Sequence, residues 1–228
     1  MSTPAADYIQ AYMPKREPKL ARCALLLIDL QYATGSRVGA LGRKMAAEGS
    51  HITDHRFERI ETLVLPNSIK LANAFRKAGR PVVYVTVGAA TPQALDAPIH
   101  MRMMFVEFKN YEGSREHEIL DEIKPLPGDY VVRKTTNGAF ASSGIDSLLR
   151  ALECDQVYMT GVSTNMCVEA TAREAADRGY LVSLVEDACG TTHKDLHDNT
   201  MRNFQRLYGR VCSTEQALGE LGLGSSTQ

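Results

Sequence analysis

The chain has 228 residues, 44% of them hydrophobic, with a formal net charge of −1; such a length supports one substantial core and a single domain. Interspersed acidic and basic residues argue against a nucleic-acid surface or a polybasic membrane patch, and no apolar run is long enough to span a bilayer. The 5 cysteines, Cys23, Cys154, Cys167, Cys189 and Cys212, form neither C-x-x-C nor a paired zinc spacing, as in a soluble cytoplasmic protein with reduced thiols.

Residues 1–22 are polar and proline-punctuated, a leader expected to reach a neighbouring subunit. The apolar run 24–28, closed by Asp29, predicts a strand covered on both faces. Residues 31–56 are rich in Gly, Arg and His without clear periodicity. A helix over 58–77 is stopped at Gly79, and Pro81 leads into a strand over 82–87. A loop-rich segment over 88–114 precedes a short helix that ends before Pro125. Next come a strand over 130–133, a helix over 145–152, a strand ending before Gly161 and a helix over 166–178 capped by Gly179. A strand over 181–185, a helix over 196–207, a short strand around Val211 and a helix over 215–221 complete the domain, 23–222. The tail, 223–228, is expected to be disordered. About six strands alternating with helices predict an α/β fold, a three-layer α/β/α sandwich on a parallel sheet.

In open α/β sheets the ligand crevice lies beyond the carboxyl ends of the strands. Three residues there carry chemistry: Asp29, Lys134 and Cys167. Each has a plain alternative, respectively a turn cap, a solvated cation and a small buried hydrophobe. Together they supply a base, a cation and a nucleophile. A thiol at a helix start is pushed towards thiolate by unpartnered N–H groups and the helix dipole, and a nearby ammonium adds to this. The carboxylate can take the thiol proton.

The ordered set Leu27-Ile28-Asp29-Leu30-Gln31, Lys134-Thr135-Thr136-Asn137-Gly138-Ala139-Phe140, Gly161-Val162-Ser163-Thr164-Asn165-Met166-Cys167-Val168, Ala172-Arg173-Glu174-Ala175-Ala176-Asp177-Arg178-Gly179-Tyr180 and Val185-Glu186-Asp187-Ala188-Cys189 resembles the isochorismatase-like cysteine hydrolases. That family includes nicotinamidases, N-carbamoylsarcosine amidase and ureide amidohydrolases. The resemblance spans about residues 24–213. It implies a six-stranded parallel sheet, an Asp29–Lys134–Cys167 triad and a cis peptide between Val162 and Ser163 that aims the Ser163 N–H into the site. It also implies an oxyanion hole of the Ser163 and Cys167 backbone N–H groups, a homodimer or homotetramer, and hydrolysis of a small amide, ureide or lactam without a cofactor or metal.

Nicotinamidases carry D-x-H and a further His near the second strand, whereas residues 87–92 here offer no such ligands. His51, Asp54 and His55 supply ligand types at i, i+3 and i+4, but in an unpatterned polar segment, so no metal site is expected. Cys167 and Arg173 have the C-x5-R spacing of cysteine phosphatases, yet no glycine opens that loop and Glu169 would repel a phosphate. A catalytically silent or redox-sensing relative is the alternative from another functional class. Gln31, Tyr32 and Phe140 are expected to bind substrate, and Arg37, His100 and Arg102 are candidates for a carboxylate or amide, each with a solvated role as alternative. His117, His193 and His197 are expected at the surface.

Overall fold

A computed structural model of the chain describes residues 8–12 and 20–222. The rest of the expected leader and the tail lie outside the described residues. Strands β1 (Cys23–Ile28), β2 (Val82–Val87), β3 (Tyr130–Lys134), β4 (Gln156–Val162), β5 (Leu181–Gly190) and β6 (Arg210–Cys212) form one all-parallel sheet in the order β3-β2-β1-β4-β5-β6.

Alternation along β1 builds the three layers. Cys23, Leu25 and Leu27 face a core completed by Leu71 and Phe75 of helix α4 (Leu65–Lys77) and Ala217 of α9 (Thr214–Glu220). Ala24, Leu26 and Ile28 face the opposite core, with Leu149 of α6 (Ile145–Ala151), Ala172 of α7 (Glu169–Asp177) and Phe204 of α8 (Lys194–Leu207). Both faces being covered explains why β1 reads as an uninterrupted apolar run. The chain winds outward from β1 through β2 to β3, then returns to β4 on the other side. The order therefore reverses between β1 and β4, the position at which such sheets open a crevice.

Several elements differ from the sequence expectation. Segment 31–56 holds α1 (Tyr32–Gly35), α2 (Ala40–Ala47) and the start of α3 (Asp54–Arg59). Helix α3 runs through a π-helical turn, Ile60–Val64, into α4. Pro66 explains the wide turn, because it has no N–H and its ring displaces the preceding carbonyl. The loop after β2 contains α5 (Ile99–Glu107), and the helix expected before Pro125 is two 3-10 turns, Arg115–His117 and Asp121–Ile123. The turn Tyr8–Tyr12, part of the expected leader, lies against α8 of the same chain. Among the described residues no helix is long and apolar enough to cross a membrane.

Candidate active site

Asp29 follows β1 at φ +53°, a left-handed conformation that aspartate tolerates. Its N–H donates to Val85 O at 2.8 Å and its carbonyl accepts from Gln31 N at 2.9 Å, so the turn is held from both sides. One position over, β4 passes through Gly161 at φ +112°. A Cβ there would stand 2.0 Å from Ile28 O, so β4 can approach the end of β1 only as glycine. The Val162–Ser163 peptide is cis. A π-helical turn, Thr164–Val168, then carries Cys167 ahead of α7, with the N–H groups of Met166 and Val168 donating to Ser163 O at 3.0 and 3.2 Å.

Lys134, the last residue of β3, donates from Nζ to Asp29 Oδ2 at 2.9 Å and to Thr136 O at 3.0 Å. The pair is shut off from solvent, with side-chain exposures of 0% for Lys134 and 3% for Asp29. Asp29 Oδ1, the oxygen that Lys134 does not hold, has no hydrogen-bond partner of its own. The loop beyond Lys134 is pinned by Phe140 N donating to Glu174 Oε2 at 2.8 Å and by Ser142 Oγ accepting from the N–H groups of Thr135 and Thr136. It brings Asn137 Oδ1 to 3.6 Å from Cys167 Sγ.

Burial dominates the proton equilibria here. It pushes the Cys167 thiol up to about 12, Asp29 adding to the rise while Lys134 opposes it. Burial also raises Asp29, against the pull of Lys134 and the thiol. Lys134 is pulled down by burial, but Asp29 and the thiol more than offset this and hold it above its ordinary value. The thiol is therefore held in its protonated form beside the Asp29–Lys134 pair. The helix-start argument for a preformed thiolate does not survive: desolvation of a buried anion outweighs a dipole acting within one turn. The Asp29 carboxyl lies beside that thiol and is paired with Lys134.

Above Cys167 opens a cavity of about 530 Å³. Its base includes Asp29, Asn137, Ser163 and Cys167, and α5 roofs it with Met101, Met104 and Phe105. Lys44 of α2 and Glu107 of α5 pair at 2.9 Å across the rim.

An isochorismatase-domain family model matches residues 23–216. The chain belongs to the isochorismatase family of hydrolases. It is 29% identical over 204 residues to the uncharacterised isochorismatase family protein YecD of Escherichia coli O157:H7, covering 87% of this chain and 95% of that one. Ureidoacrylate amidohydrolase RutB of Variovorax paradoxus is 43% identical over 108 residues, 46% of this chain and 42% of its own. Among solved structures, N-carbamoylsarcosine amidase of Thermoplasma acidophilum superposes with a TM-score of 0.65 at 28% identity, covering 85% of this chain and 96% of that one.

In this isochorismatase-family chain the cavity has other walls than the sequence led us to expect. Gln31, Tyr32 and Phe140, expected to bind substrate, do not line it. Gln31 is a buried bridge, exchanging hydrogen bonds with Val87 N and O and donating to His117 O. The Tyr32 ring lies under the Arg115 guanidinium, and Phe140 packs in the α7-side core beside Tyr180. Arg37 pairs with Glu61 at the surface, Arg102 donates to carbonyls of its own loop, and His100 is exposed. Arg173 of the C-x5-R spacing pairs with Glu169. His51 pairs with Asp54, and among the described residues no group of three or more His, Cys, Asp or Glu is placed to hold a metal.

Of two buried polar residues, the sequence reading put His197 at the surface, which the structure corrects, and passed over Arg56. His197 is buried between Thr164 Oγ1 (2.9 Å) and Glu186 Oε1 (2.9 Å), bracing the π turn from behind. Arg56, in a segment without readable periodicity, lines the cavity itself. The only signal for either was its type: Arg56 falls in a helix that was not recognised, and His197 in the first turns of one that was, where nothing marked the position as inward.

Proposed function

We propose that the protein is a cysteine-dependent amidohydrolase that cleaves the C–N bond of a small amide, ureide or lactam through a covalent Cys167 intermediate. The observation that carries this reading is Asp29, held by Lys134 through Oδ2 while Oδ1 is left without a partner beside a protonated thiol. Asp29 takes the Cys167 proton as Sγ adds to the substrate carbonyl. The backbone N–H groups of Ser163 and Cys167 stabilise the oxyanion. Asp29 then gives that proton to the departing nitrogen, leaving an acyl or carbamoyl thioester. It next takes a proton from water as the hydroxyl adds to the thioester carbonyl, and returns it as Sγ leaves. Lys134 keeps Asp29 in place and remains protonated throughout.

The names of the relatives support the same class, one being an amidohydrolase of a ureide and another an amidase of a carbamoyl compound. A redox-sensing role finds less support, since sensor cysteines are exposed and acidic, whereas this thiol is buried and raised. The reading includes a cytoplasmic homo-oligomer in which a second copy covers α5 near the cavity. Ile99 and Met103, one turn apart on that helix, are 85% and 74% exposed. The test of the chemistry is ammonia or amine release from a panel of carboxamides, carbamoyl amino acids, biuret-like ureides and lactams. Release that disappears in Cys167→Ala is expected; turnover retained by Cys167→Ala would sink covalent catalysis.

A further inference from the structure

The cavity carries a cation that the proposed reaction does not use. Arg56 is only 3% exposed, yet it lines the space beside Cys167. Its Nε donates to Thr34 O at 2.9 Å and its Nη1 to Ser163 Oγ at 2.6 Å. Both acceptors are neutral, and Nη2 donates to neither. Among the described residues no carboxylate forms an ion pair with this guanidinium. Arg59 and Arg76, less deeply buried, each have one: Arg59 holds Glu186 and Arg76 holds Asp129, each at 2.7 Å.

The charge balance isolates Arg56. Lys134 is matched by Asp29, and Lys44 by Glu107 and Glu48, so neither carboxylate of the cavity lining forms an ion pair with Arg56. Burial lowers Arg56 only to about 10, so it stays ionised at neutral pH. A purely structural tie between Thr34 and Ser163 needs a neutral donor only, and a buried unpaired cation is a costly substitute for one. The remaining donors are those of a planar fork suited to a carboxylate.

We infer that Arg56 is a substrate-binding residue that receives a carboxylate, and that the compound taken by the Cys167 site carries this acid group close to the scissile carbonyl and an apolar group under α5. The closeness follows from Ser163, whose Oγ is held by Arg56 and whose N–H is the proposed oxyanion donor. The apolar group follows from the roof, where Met101, Met104 and Phe105 offer no charge. The inference rests on the amidohydrolase reading for its carbonyl, but the anion site can be tested without turnover.

The experiment is calorimetric binding to the Cys167→Ala protein at low salt, comparing hexanoate with hexanol and N-carbamoyl-leucine with N-carbamoyl-leucinamide. Each acid should bind at least about tenfold more tightly than its neutral counterpart, the worth of a charge-assisted contact. Adding Arg56→Gln should abolish that preference, and adding Arg56→Lys should keep part of it. Equal affinities, no binding of either acid, or a preference surviving Arg56→Gln would overturn the inference. If Arg56→Gln does not fold, the acid-to-neutral ratio with Arg56 intact, set against Arg56→Lys, decides. Failure of the amidohydrolase reading would show separately, as no Cys167-dependent release from the panel while these affinities stand.

Discussion

Replacing Lys134 by Met should cost stability in a pH-dependent way. The pair is separated by 2.9 Å with exposures of 0% and 3%, so the Coulomb attraction lost is about 6 kcal/mol at an effective dielectric of about 20. Relief from burying the ammonium returns part of it, and breaking one side of a buried pair costs about 3–5 kcal/mol net. In the variant Asp29 keeps only the more distant Arg56 charge, and its folded pKa climbs further above its ordinary value of 3.8. The folded state then holds a proton that the unfolded state has released, so stability falls as pH rises from about 4 until the carboxyl ionises in the fold. Urea unfolding followed by circular dichroism should show the loss of about 3–5 kcal/mol at pH 8 and a clearly smaller loss at pH 5. Asp29→Asn combined with Lys134→Met should be more stable at pH 8 than Lys134→Met alone, because the buried carboxylate that lost its partner is removed with it. A loss below about 1 kcal/mol, equal losses at both pH values, or a double variant weaker than the single one would refute the buried-pair argument.

Gly161→Ala should cost at least about 3 kcal/mol, because its Cβ would meet Ile28 O at 2.0 Å and its backbone sits at φ +112°; a variant within 1 kcal/mol of the parent in urea midpoint would contradict the close approach. For a substrate found by the panel, kcat/KM should rise with pH along one acidic limb centred above 3.8, since Asp29 is raised and must be ionised to act as base. No alkaline limb from the thiol is expected near neutral pH, because burial pushes it up to about 12; an alkaline limb centred near pH 8 that Cys167 labelling shows to be the thiol's own titration would contradict this. Ile99→Glu with Met103→Glu should shift sedimentation towards monomer, and a parent protein that is already monomeric at micromolar concentration would dispose of the proposed assembly.

The strands were legible wherever burial on both faces made the code continuous. Residues 24–28 and 82–87 needed no tertiary information, and each lies within the strand found there. Strand β5 was cut short at Val185 because Glu186 and Asp187 look like a strand end. Both are accommodated instead by partners far away in sequence, Glu186 by Arg59 and His197, and Asp187 by Thr214. The helices of 31–56 were hidden because α1 and α2 are short, and α3 owes its inward face to Arg56 and Phe57, of which only the second is apolar. Asp29, Lys134 and Cys167 were readable as strand-end residues, but their proton states were not. Those depend on how deeply the finished fold buries them.

That burial explains why the thiol proton passes to Asp29 in the proposed reaction. A thiolate formed by loss of a proton to water would leave an uncompensated anion on a buried sulfur, and burial accordingly pushes the thiol up. Transfer to Asp29 creates no net charge. It moves the negative charge from the carboxylate to Sγ, and the Lys134 ammonium acts on both atoms. Attack then passes the charge to the oxyanion while the proton waits on Asp29, and expulsion of the amine returns the charge to Asp29 and carries the proton away on nitrogen. A site that keeps its charge constant needs little solvent rearrangement, which suits a cavity whose roof is methionine and phenylalanine. Arg56 neither gives nor takes a proton in this cycle, and its charge, which acts on both Asp29 and Cys167, stays constant while the proton moves; that constancy is the property a fixed anchor for a substrate anion requires.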